Sequence, residues 1–324
     1  MTPYEKAPLE HLLTILFQYN YFGLQLFGTF LYQSMCTRKT SQSGSRERTT
    51  GRCPARQHTV HCTSYHSLSN TSLIHSQPAL YASLSIEAIA ALKRNVSNSS
   101  GSNSTPSTEQ VTFQQVYLDG NDTATKEIFA RAEAAGQKAI VFTIDSAADG
   151  NRHRAARYGV GSADTSYTPA SWEFYQKLTT FTTLPIILKG IMTVEDARLA
   201  VKYGVPAIIL SNHGGRQLDT SPSPLEIALE IYNQERGLFS QIEVWADGGV
   251  RYGSDVLKLL ALGVRAVGLG RPFMYANVYG TAGVKKAIDI LKKEIALDAA
   301  NAGIADLKTI DASYVKWDTQ QWHP

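Results

Sequence analysis

At 324 residues with 43% hydrophobic side chains, the chain is long enough for one large α/β barrel or two ordinary domains, and apolar enough for a sizeable core. A formal net charge of +3 points to neither nucleic acid nor a membrane surface as a partner. Cys36, Cys53 and Cys62 are the only cysteines, so everything after residue 62 lacks a disulfide framework, as expected of a reducing compartment.

In chain order, residues 12–32 are uncharged and long enough to span a bilayer as a helix, although Gln18, Asn20 and Gln25 are expensive in hydrocarbon. Arg38 and Lys39 follow and would favour the downstream side as cytoplasmic. The alternative is a segment that never meets lipid. Residues 36–78 are rich in Ser, Thr, Arg and His without periodic pattern, which reads as a disordered stretch. Cys53, His58, His61, Cys62 and His66 fall there, but none of their spacings is that of a zinc ligand pair, and no metal is expected. Residues 79–93 offer a degraded strand–helix unit, and 95–108 a low-complexity polar linker with sequons at Asn95, Asn98 and Asn103.

From residue 111 onward, short Ile/Val/Leu-rich runs alternate with helical patterns. Strands are expected at 111–118, 138–145, 185–189, 207–210, 243–246 and 266–269. Helices are expected near 123–135, 193–203, 223–236, 253–262 and 281–300. Apolar strands each followed by a helix indicate a parallel sheet covered on its outside. Six are visible, two short of a closed (β/α)8 TIM-type barrel, so the barrel is expected to be incomplete at its N-terminal strands. The expected divisions are 1–78, 79–110, a barrel over 111–318 and a tail at 319–324.

In such a barrel the site lies at the carboxyl ends of the strands. Those positions hold Gln115 and Tyr117, Thr143 and Asp145, Lys189, then Ser211, His213 and Arg216. An imidazole three residues from a guanidinium pairs a proton acceptor with a carboxylate clamp, which suggests chemistry on the carbon beside an acid group. The turns Asp247-Gly248-Gly249-Val250-Arg251 and Gly268-Leu269-Gly270-Arg271 have the form of a phosphate grip after the last two strands. Singly, each residue has a plainer use: Lys189 on the surface, Asp145 as a turn cap, His213 as a structural histidine. Together they end every visible strand in a polar group, which a purely structural barrel does not need.

Ser211-Asn212-His213-Gly214-Gly215-Arg216-Gln217-Leu218-Asp219 resembles the signature of the FMN-dependent α-hydroxy-acid dehydrogenase/oxidase family. Glycolate oxidase, lactate oxidase and the flavin domain of flavocytochrome b2 belong to that family. Leu184–Gly190 before it, and the two glycine–arginine turns after it, fall in the family's order, so the likeness runs over about 111–318. It implies FMN as cofactor and oxidation of an L-2-hydroxy acid, lactate-like or glycolate-like, to the 2-oxo acid. His213 would be the base, Asp145 its partner, and Arg216, Tyr117 and a loop arginine, Arg152, the substrate contacts. Gln115, Thr143, Lys189 and Ser211 would line the flavin ring. Asp247, Gly248, Gly249, Arg251, Gly270 and Arg271 would hold the ribityl phosphate.

The resemblance lapses before residue 79, and the flavin-contacting serine usual on the second strand would fall on Ala79. Thr143-Ile144-Asp145-Ser146-Ala147 departs from the usual Asp-Ala-Pro turn, and the loop 150–171 is short. Residues 1–78 are therefore expected not to be a native amino terminus of this fold, leaving the edges of the third and eighth strands unpaired. No haem domain is recognisable upstream, so oxygen or a separate carrier would reoxidise the flavin. A complete barrel would be a homo-oligomer in the cytoplasm or an organelle lumen, with an anchor at 12–32 as the alternative. The rival functions are a non-catalytic remnant of the family and another FMN-using barrel enzyme such as an isomerase.

Overall fold

The computed structural model describes residues 14–19, 74–80, 82, 84–91, 111–148, 150, 152–159 and 170–317. Eight parallel strands form one sheet: β1 (Thr14–Tyr19), β2 (Ile74–Pro78), β3 (Gln114–Val116), β4 (Ile140–Thr143), β5 (Ile186–Ile191), β6 (Ala207–Leu210), β7 (Glu243–Asp247) and β8 (Ala266–Leu269). Their spatial order is β2-β1-β8-β7-β6-β5-β4-β3, the cyclic order of a (β/α)8 barrel cut between β2 and β3. Among the described residues no ladder joins those two strands. A side chain bridges them instead: Leu80 N donates to Gln115 Oε1 at 3.3 Å.

The helices follow their strands: α1 (86–91), α2 (Asp122–Ala134), α3 (His153–Ala156), α4 (Trp172–Leu178), α5 (Val194–Lys202), α6 (Pro224–Glu235), α7 (Leu238–Gln241), α8 (Gly253–Ala261), α9 (Arg271–Asn277) and α10 (Gly280–Asn301). Their starts are chemically marked. Asn121 accepts from Thr123 N and Ala124 N, Thr193 from Asp196 N, and Ser223 forms a capping box with Glu226 ahead of Pro224.

Alternation along each strand separates two cores. Ile208 and Leu210 of β6 join the outer layer with helix residues such as Ile227, Ile231, Val256 and Leu260. Ile209 points inward with Phe113, Val141, Ile187, Trp245 and Ala266, and this cluster plugs the lumen beneath the strand ends. Phe113 and Trp245 meet at 5.4 Å between centroids. The polar residues at the strand ends therefore sit on a packed floor.

The six expected strands and five expected helices all form, with ends shifted by a few residues. The strand count is corrected from six to eight. Thr14–Tyr19 lies inside the uncharged run that allowed a membrane helix over 12–32, and it is a strand paired to β8 and β2 rather than part of a helix. Among the described residues no helix is long and apolar enough to cross a membrane. Because β1 pairs with β8, the edge of the eighth strand is covered, contrary to expectation, whereas the β2/β3 seam remains without a ladder. β2 precedes the boundary drawn at residue 79. Residues 20–73, with Cys36, Cys53, Cys62 and their neighbouring histidines, lie outside the described residues, as do the linker sequons and the tail.

Candidate active site

The barrel mouth collects one inward side chain from each of several strand ends. On β3 and β4, the Gln115 amide donates to Thr143 Oγ1 at 2.7 Å, and both residues are buried. Lys189 on β5 is wholly inaccessible to solvent; its Nζ donates to Ser211 Oγ at 2.9 Å and lies 3.6 Å from the Asp247 carboxylate. A buried ammonium requires such partners. Ser211 Oγ in turn donates to Asp247 Oδ1 at 2.6 Å and accepts from the His213 backbone N–H at 3.1 Å. One hydroxyl thus joins the ends of β5, β6 and β7 to the loop that carries the histidine.

His213 has φ of 58°, a left-handed conformation uncommon outside glycine. The ring lies between Asp145, whose Oδ1 is 3.0 Å from Nδ1, and Tyr117, whose hydroxyl is 3.2 Å from Nε2. Burial pushes the His213 pKa down, Lys189 adds to that, and the pairing with Asp145 opposes it; the net direction is downward. Burial raises Asp145, but Lys189 and His213 outweigh it and hold the carboxyl below its ordinary value. Both shifts favour a neutral imidazole beside a carboxylate. In that state Nδ1–H donates to Asp145 and Nε2 accepts from the Tyr117 hydroxyl.

Arg216 is half-buried beside this ring. Burial lowers its pKa, and the charges of Arg152 and Arg271 lower it further. Among the described residues no carboxylate pairs with Arg216, so three guanidinium groups create a positive field suited to an anion. Arg152 stands just ahead of α3, its Nε buried without a partner among the described residues. Arg271 reaches back to the signature loop, its Nη2 donating to Gly214 O at 2.6 Å. A cleft bounded by Asp247, Gly248, Gly249, Arg251, Gly270 and Arg271 opens beside His213 and Arg216. At Gly249, φ is 81° and an added Cβ would meet nothing within 4 Å, so the backbone faces open space there.

All fifteen residues singled out in the sequence lie at this mouth or on its rim, but they are not one network. Tyr117, Asp145, Lys189, Ser211, His213 and Asp247 are linked by the hydrogen bonds above, and Gln115 and Thr143 form a separate pair. Arg251 instead donates to the adjacent Val250 O at 3.1 Å and stays with the glycine cleft. Two contributors went unrecognised. Gln217 Nε2 donates to Ser146 Oγ at 2.9 Å and, at 3.3 Å, to the carbonyls of Asp145 and Ala148, tying the signature loop to the turn that bears Asp145. Gly190 lies so close to Asp145 that a Cβ there would come within 2.6 Å of the Asp145 Cβ. Gln217 lies within the signature 211–219 and Gly190 closes the stretch Leu184–Gly190, where a glycine ending an apolar strand was the further signal.

Comparison with known proteins bears on the same region. The FMN-dependent dehydrogenase family matches residues 75–169 and 162–317. The chain is 37% identical over 242 residues to L-lactate dehydrogenase (cytochrome) of Saccharomyces cerevisiae, covering 65% of this chain and 41% of that one. It is 38% identical over 240 residues to peroxisomal (S)-2-hydroxyacid oxidase GLO3 of Arabidopsis thaliana, covering 66% and 65%. A flavocytochrome b2 variant with pyruvate bound superposes with a TM-score of 0.68 at 35% identity, over 76% of this chain and 61% of that one. The chain thus spans about two fifths of the yeast enzyme's length and just under two thirds of the plant oxidase's.

Proposed function

The chain belongs to the FMN-dependent dehydrogenase family, and from that premise we propose that it oxidises a small L-2-hydroxy acid to the 2-oxo acid with FMN as electron acceptor. The observation that carries this reading is the Tyr117–His213–Asp145 line set beside Arg216 and Arg152.

The donor set fits FMN. A ring with polar edges suits the buried Gln115, Thr143 and Lys189, and a phosphate suits the glycine cleft between Arg251 and Arg271. When bound, FMN would supply a two-electron acceptor above the lumen floor. Arg216 and Arg152 would hold the substrate carboxylate, Arg216 with two parallel hydrogen bonds. That anchoring turns the α-carbon toward His213 Nε2, whose depressed pKa keeps its lone pair available near neutral pH. Taking the proton converts the ring to imidazolium, and Asp145 at 3.0 Å stabilises that charge. Tyr117, released from Nε2 as substrate enters, keeps its hydroxyl within reach of the substrate's polar end. The buried Lys189 ammonium stabilises negative charge developing above β5. The relatives named as a cytochrome-linked dehydrogenase and as oxidases leave two acceptors for the electrons, a separate carrier or oxygen.

The test is purification of the full chain followed by anaerobic addition of L-lactate and of glycolate. A yellow protein that bleaches with either acid supports the proposal. A colourless protein that takes up no added FMN sinks it and favours a non-catalytic member of the family.

A further inference from the structure

Paired residues in a parallel ladder point to the same face of the sheet. Asp247 pairs with Gly268, Gly268 with Leu16, and Leu16 with His75. Asp247 faces the lumen, so Gln77 and Ala79, two and four residues beyond the backbone partner of Leu16 on β2 and its continuation, face it too. The same register sets Gln77 beyond the level of Asp247, toward the carboxyl ends of the strands, where the mouth lies.

Gln77 is only 2% exposed, yet its Nε2 is buried and meets no acceptor among the described residues. Buried amide donors in folded proteins almost always have a partner, and an unpaired one calls for a reason. Across the seam, Gln115 already has partners: it accepts from Leu80 N and donates to Thr143. Ala79, the next lumen-facing residue toward the mouth, is buried and has no polar side-chain atom. The small methyl leaves the longer Gln77 side chain as the donor that β2 presents to the site.

We propose that Gln77 Nε2 is a further ligand-binding donor of this site, hydrogen-bonding a carbonyl oxygen or ring nitrogen on the edge of the flavin. This rests on the reading that the site holds FMN. A donor held unpaired in the protein alone gains its partner on binding, so its removal weakens the complex without weakening the fold.

The experiment titrates the full-length apoprotein with FMN by flavin fluorescence quenching and melts each protein without FMN, for the parent chain, Gln77→Met and Gln77→Glu. Methionine keeps the unbranched reach and deletes the N–H donor. Expected are an FMN Kd raised roughly tenfold in Gln77→Met and at least as much in Gln77→Glu, with the Gln77→Met apoprotein melting no lower than the parent. A parent that binds FMN alongside a Gln77→Met of equal affinity overturns the inference alone. So does a Gln77→Met apoprotein that melts well below the parent, since the amide would then serve the fold. A parent that binds no FMN overturns the functional reading, and this inference with it.

Discussion

His213 is held in its left-handed conformation by its own backbone N–H, which donates to Ser211 Oγ, while Asp145 fixes its ring. Asp145 to Asn keeps the shape but offers an amide that can present either oxygen or N–H to Nδ1, and it removes the charge that stabilises the imidazolium. A fall in kcat/KM of roughly 10²–10⁴ is expected, the range typical of disabling a positioned acid–base pair. The pH profile gives a second readout. His213 is lowered in the folded protein, so the active neutral form persists below the ordinary imidazole range, and kcat/KM should fall only as pH drops through that lowered value. Because Asp145 opposes the lowering, the Asn variant should carry its acid limb to still lower pH; a limb at or above pH ~6.5 in the parent chain would contradict the assignment. Stability runs the same way: the unfolded chain takes up protons on His213 near its ordinary pKa and on Asp145 near its own, before the folded chain does. The fold therefore loses their contribution as pH falls through those ranges.

At the scale of elements, β5 shows how a strand irregularity serves the site. The ladder to β6 shifts register between Lys189 and Ile191, and Gly190 between them has φ of 111°. That shift brings the backbone of β5 against Asp145, where no side chain fits. Gly190 to Ala should therefore cost about 1–3 kcal/mol in chemical denaturation, since it combines backbone strain with a collision against Asp145. It should also lower kcat/KM, because Asp145 must move away from His213; a variant with unchanged stability and activity would refute this account. The same element shows what could be read from sequence. Ile186–Leu188 is apolar on both faces, with Pro185 before it and Lys189 and Gly190 after it, so the strand and its terminal lysine were legible. The register shift was not, because it follows from β5 packing against the β4 turn, which no local pattern encodes. Gln217 was hidden for a related reason: its three acceptors lie about seventy residues earlier, on the turn that departs from the usual family sequence.

For the whole molecule, the legible portion was the six strands from β3 to β8, all largely buried and, β3 apart, built mainly of apolar residues. β1 and β2 were not legible. Thr14–Tyr19 sits within an uncharged run whose length matches a bilayer, and Ile74–Pro78 has one β-branched residue and ends in Pro, which strands disfavour. What makes them strands is the long-range ladder: β1 lies between β8 and β2, pairing Ile15 with both Val267 and Ile74. β1 thus covers the edge beside the Gly268–Arg271 turn, and it carries β2 into place. An uncovered parallel edge of apolar residues is a template for association. Ile15 to Pro removes a ladder N–H and should uncover β8 without altering any residue of the proposed site. The expected result is a protein that forms high-mass species by light scattering and takes up less FMN than the parent at equal concentration. Equal monodispersity and equal FMN uptake would show that β8 does not depend on β1, and that the six strands from β3 to β8 sustain the site by themselves.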